Sequence, residues 1–217
     1  MTTETIQKPL WRRLVLPLAG GGIAGFLVAL GFLNLAEMSD GVELGTSREI
    51  GGLVGALYAV TGLSVLVGVL SPGVGAKFLN VEDADELREQ SRMLSLSGVA
   101  MVALGLALML LALAGEGALV PAGVALVGTI ALVALAIVLS AISHRYIDEL
   151  QRALTTDAVA TAFYLVVLGG GTWAALAHLG YATGPAPLDW LTMFAVSLLI
   201  GSFWQTARRG LMLRGPN

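Results

Sequence analysis

The chain has 217 residues, of which 56% are hydrophobic and only 12% charged, and its mean hydropathy is +0.83. Soluble domains carry roughly one-quarter charged residues, so this balance excludes a water-soluble globule and describes a membrane-embedded chain. With no cysteine, disulfides, thiolate metal sites, iron–sulfur clusters and cysteine nucleophiles are excluded together.

Residues 1–13 form a short polar tail in which Trp11 stands beside Arg12 and Arg13, where an interfacial aromatic belongs. The apolar run Leu14–Ala36 is longer than the roughly 7–15 residues of a secretory h-region, and no A-x-A site follows it. It is therefore expected to be a retained first span. Glycines in it, notably Gly21 and Gly25 four apart, let a neighbouring helix come close in lipid.

The next loop, Glu37–Ile50, carries four acids against Arg48 alone. Span two is expected over Gly51–Ser71, with a second small-residue pair at Gly51 and Gly55, and Pro72-Gly73 ends it. The stretch Lys77–Arg92 is the most charged, and Asp85 is placed to start a short amphipathic helix leading into span three, Met93–Ala114. Gly115-Glu116-Gly117 is a minimal turn, so span four, Ala118–Ile142, returns antiparallel, with Pro121 in its first turn, where a missing N–H is harmless.

The polar stretch Ser143–Asp157, with Arg145 and Arg152, separates span four from span five, Ala158–Leu179. After a loop without Lys or Arg, span six, Trp190–Ala207, closes at Arg208 and Arg209. Eleven of the twelve basic residues fall in the two tails and in the second and fourth loops, leaving only Arg48 on the other side. By the positive-inside rule both termini are expected to be cytoplasmic. The expected fold is thus an all-α integral membrane protein of six transmembrane helices, arranged as three helical hairpins within one membrane domain of residues 1–217.

Asp85-Glu86-Leu87-Arg88 precedes span three, and Asp148-Glu149-Leu150-Gln151-Arg152 precedes span five, so two hairpins share a lead-in. In the second, the pattern continues through Pro185 and Pro187 in the outer loop to Arg208-Arg209. Over residues 148–209 the chain resembles a group of small, uncharacterised bacterial multi-pass inner-membrane proteins with a D-E-x-x-R lead-in before a two-span hairpin. The resemblance implies a hairpin in a bacterial plasma (inner) membrane; it implies no activity.

Chemistry is conspicuous by what is missing. None of the six expected spans contains Asp, Glu, Lys or Arg. Ion-coupled transporters keep such groups at membrane depth because the coupling ion needs them. Span polarity is expected to rest on hydroxyls such as Thr61, Ser64, Ser97, Thr161, Tyr164, Thr192 and Ser202, with Asn34, His178 and Gln205 near span ends. Such hydroxyls usually bond their own backbone or a neighbouring helix.

The two histidines, His144 and His178, fall at opposite ends of membrane spans, roughly 30 Å apart in depth, so they cannot share one haem. Ser95-Leu96-Ser97-Gly98 falls short of the G-x-S-G of rhomboid-type proteases, because the leading glycine is absent and His178 lies at the far end. Gly73-Val74-Gly75-Ala76-Lys77 lacks phosphate-loop spacing.

No catalytic residue, cofactor or metal ligand is therefore expected, and nucleic acid is not an expected partner. The expected partners are the lipid bilayer and a second copy or another membrane subunit. Asp85, Glu86, Arg88, Asp148, Glu149 and Arg152 are the candidates for a cytoplasmic docking surface, and Gly21, Gly25, Gly51 and Gly55 for helix packing. The function expected first is that of a non-catalytic polytopic inner-membrane protein acting by helix packing. The alternatives are a facilitator or export component for a neutral or lipophilic solute, its path exposing Gly169-Gly170-Gly171, and a membrane sensor with cytoplasmic docking helices.

Overall fold

The computed structural model of the chain describes residues 10–37, 45–73, 75, 84–115 and 118–211, with side chains from residue 21 onward except those of residues 36, 37, 84 and 86. Lys8, Asp40, Glu43, Lys77, Glu82, Asp83, Glu116 and Arg214 lie outside it, as do the side chains of Trp11, Arg12, Arg13 and Glu86.

The described residues are helical throughout, apart from turns and one isolated bridge between Ala114 and Val120. The helices are α1 (Leu10–Glu37), α2 (Gly45–Leu70), α3 (Ala84–Glu89), α4 (Ser91–Ala112), α5 (Ala122–Ser143), α6 (Glu149–Leu165), α7 (Gly171–His178) and α8 (Pro187–Arg208). A π turn, Val166–Gly170, joins α6 to α7 in one rod of 30 residues. Five helices (α2, α4, α5, this rod and α8) are long and apolar enough to cross a membrane. In α1 the corresponding apolar stretch with described side chains is Gly21–Leu35. The chain is a multi-pass, all-helical membrane protein.

Packing follows from the solvent. Most of the buried apolar side chains are alanines, among them Ala59, Ala100, Ala103 and Ala158, while Val127, Ile130, Phe163 and Leu168 stand exposed. A water-soluble protein does the reverse. In hydrocarbon, large apolar side chains gain nothing by hiding, and small ones let backbones approach, so the interior fills with Ala and Gly.

The helices form an open arc rather than a closed bundle. α2 packs along α4, and α4 packs antiparallel on α5; α2 also meets α8, which touches the end of α4 and packs antiparallel on α6. Among the described residues, α5 and α6, consecutive in the chain, do not pack on one another. α2 is therefore the hub, and three glycines near its start serve three neighbours. A methyl group on Gly51 would meet Leu188 and Thr192 of α8; on Gly52, the ring of Phe32 in α1; on Gly55, the Gly105 carbonyl of α4. Successive residues point about 100° apart around a helix, so one glycine-rich turn can admit partners on several sides.

Helix boundaries differ from the hydropathic ones where polar residues prolong a helix. α2 starts at Gly45, which brings Arg48 and Glu49 into its first turns; α6 starts at Glu149 and so includes Arg152 and Asp157. Hydropathy marks where lipid begins, whereas helical hydrogen bonding continues into the interface. The correction matters for charge: carboxylates and guanidiniums do occur within long helices, most of them in the first or last turns, with Asp157 two turns into α6. Pro121 also shifts, since it stands just before α5 at φ −60°, ψ 139° rather than inside the first turn.

Candidate functional site

The α2–α4 seam is the tightest contact. Gly55 faces Gly105 and Gly62 faces Gly98, two glycines seven residues apart on each of two antiparallel helices. A β-carbon on Gly105 would lie 2.5 Å from the Gly55 carbonyl oxygen and 2.6 Å from the Ala59 nitrogen. Such contacts are with backbone, which cannot rotate away.

The α2–α8 seam carries a polar latch. Tyr58, buried on α2, donates its hydroxyl hydrogen to the carbonyl of Ala195 at 2.7 Å. Tyr58 was not among the polar residues that the sequence singled out; its position between Gly55 and Gly62 is the signal that could have found it. Tyr58→Phe is expected to weaken the fold by about 1 kcal/mol, the scale of interhelical hydrogen bonds in membranes, and thermal unfolding in detergent measures it.

At one end of the arc, Arg48 explains why a lone basic residue sits there. Its Nε donates to the carbonyl of Ala112 at 2.8 Å and its Nη2 to that of Ala114 at 2.7 Å. The last carbonyls of a helix lack intrahelical partners and carry the negative end of its dipole, so a guanidinium there both bonds and neutralises them. An open groove of about 550 Å³ lies beside it, lined by Thr46, Ser47, Leu111, Ala186, Pro187 and Leu191 among others. The groove is apolar and does not carry the convergent polar groups of a catalytic pocket.

The opposite end is ordered by polar contacts between helix pairs. Arg209 pairs with Asp157, and Gln205, buried, donates to the hydroxyl of Thr161 at 2.9 Å, while Gly201 abuts the Ala158 carbonyl. On the α4–α5 pair, the Ser97 and Ser143 hydroxyls share a hydrogen bond at 3.3 Å, and the Arg92 guanidinium lies 5.3 Å from the Tyr146 ring centre. Ser97 thus faces another serine, and His178 lies at the far end of the 30-residue rod. Thr61, Ser64, Thr192 and Ser202 bond carbonyls of their own helices. No polar path follows from them.

The docking candidates are dispersed. Asp85 pairs with Arg88 three residues on, both exposed, in a helix anchored by Leu87, which is 0% exposed against Gly75 at the end of α2. Asp148 caps α6, accepting from the Gln151 N–H at 2.7 Å, as an N-cap carboxylate does. Glu149 and Arg152 are exposed on that helix, and Leu150, the counterpart of Leu87, is 41% exposed. The two lead-ins therefore share residue order and differ in setting.

Of the packing candidates, Gly51 and Gly55 lie against α8 and α4, as described above, whereas Gly21 and Gly25 meet no atom of another helix within 4 Å among the described residues. Among the described residues no group of three His, Asp or Glu side chains could hold a metal ion. Comparison of the chain with protein-family models, curated proteins and solved structures finds no match to any of them.

Proposed function

We propose that this is a non-catalytic polytopic protein of a bacterial inner membrane that acts by packing α1 against a second copy or another membrane subunit. In this reading α1 is the sixth span, the spans form three hairpins, and both termini lie in the cytoplasm, where the Arg-rich ends meet anionic lipid.

The observation that carries the reading is the contrast along α1. Its end is anchored, with Phe32 only 2% exposed in a notch that Gly52 leaves in α2. Its earlier turns hold Gly21, Gly22 and Gly25 with no atom of another helix within 4 Å among the described residues, beside Ile23, Phe26 and Leu27 that all stand exposed. On α2 and α4, by contrast, Gly55, Gly62, Gly98 and Gly105 each meet backbone of the neighbouring helix. Glycines facing only lipid gain no contact, so a partner helix gives them a reason.

The test is the oligomeric state of the protein purified in mild detergent. A fixed oligomer is expected, and Gly21→Ile with Gly25→Ile should weaken its association by tenfold or more, roughly the effect of losing 1.4 kcal/mol at one interface. A monomer indifferent to both substitutions would overturn the packing role. Reporter fusions at each terminus check the orientation separately.

A further inference from the structure

The rod from Glu149 to His178 changes pitch once. Below the change, α6 is pinned to α8 by the Asp157–Arg209 pair, the Thr161–Gln205 bond and the Ala158–Gly201 contact. Beyond it, α7 has no buried residue and, among the described residues, pairs closely with no other helix. What α7 holds is the loop that follows. Trp173 Nε1 donates to the Thr183 carbonyl at 2.7 Å, the Tyr181 N–H donates to the Leu176 carbonyl at 2.9 Å, and Gly184 lies against Ala177. α7 and residues 179–185 therefore make one small unit, joined to the pinned part by the π turn.

That joint has the makings of a bend. An i→i+5 turn widens the helix and interrupts the i→i+4 ladder, and such turns recur where helices flex or function. Gly169, Gly170 and Gly171 occupy its end. Gly170 has a packing reason, since a side chain there would strike Trp190 and Met193 of α8. Gly169 and Gly171 have none, with no atom within 4 Å of either position. Glycines that make room for nothing act through backbone freedom. The unit ends before Ala186, which caps α8 through two hydrogen bonds with Asp189 and with Pro187 and Leu188 walls the groove beside Arg48.

We propose that the π turn Val166–Gly170 is a hinge, about which α7 and residues 179–185 swing as one lid at the rim of that groove. The absence of native cysteine lets paired thiol spin labels report the motion in lipid nanodiscs. Labels at Glu49→Cys and Ala175→Cys span the lid and α2; labels at Glu49→Cys and Ala122→Cys span α2 and α5 as a fixed reference. The lid pair should give a distance distribution about twice as broad as the reference pair, the signature of a collective hinge motion. Deleting Gly169, which removes the extra residue of the turn, should narrow it to the reference width. Gly169→Ala with Gly171→Ala, which introduces no clash, should narrow it too and decides the matter if the deletion does not fold. A lid pair as narrow as the reference, or an alanine variant as broad as the parent, would overturn the hinge.

Discussion

Gly105→Ala is expected to destabilise the protein by about 2 kcal/mol, and Gly105→Leu by about 3 kcal/mol or more, the middle and the upper end of the usual range for overpacking. The reason is that the added carbon meets backbone atoms of Gly55 and Ala59 at 2.5 and 2.6 Å. Real β-carbons do not approach that closely, so α2 and α4 must move apart along their length, and Gly62 and Gly98 lose contact with them. A control separates this from any general effect of alanine: Gly123 has nothing within 4 Å, so Gly123→Ala should leave stability unchanged or slightly raised. Thermal unfolding of the variants in matched detergent compares them directly, and Gly105→Ala behaving like Gly123→Ala would remove the basis for treating the seam as the main contact.

Arg48→Ala is the second large effect, expected at about 2–3 kcal/mol, since hydrogen bonds to charged groups contribute about 1.5–3 kcal/mol each and the two here share one side chain. Without the guanidinium, the carbonyls of Ala112 and Ala114 lose their donors in a part-buried setting. Arg48→Lys keeps the charge but not the fork that reaches two acceptors, so it should recover less than half of the loss. Hydrogen exchange adds a local readout. Amides of the turn that Arg48 ties down, including Val120, whose N–H bonds the Leu113 carbonyl at 3.1 Å, should exchange faster in both variants.

Hydropathy made the class legible, because five apolar runs of sufficient length have no other stable home than a bilayer. Which glycine meets which helix was not legible. A small-xxx-small pattern states that a face is flat; it does not name the partner, and Gly51, Gly52 and Gly55 turn out to face three different helices. Arg48 looked like an exception to a charge rule, since its acceptors lie 64 and 66 residues away in sequence. Tyr58 carries no signal beyond its place between Gly55 and Gly62, because its acceptor, the Ala195 carbonyl, lies 137 residues away in sequence. The π turn has no hydropathic trace at all, and only the run Gly169-Gly170-Gly171 hinted that the backbone there is unusual. The polar first turns of α2 and α6 were read as loops because the lipid boundary and the helix boundary are set by different physics.

The hub position of α2 has a consequence for how the chain is made. Ribosomes deliver α2 long before Gly105 or Leu188 exist, so its notched surface must wait in the membrane, filled by lipid tails, until two later segments arrive and displace them. Assembly therefore proceeds by successive exchange of lipid for protein around one early helix.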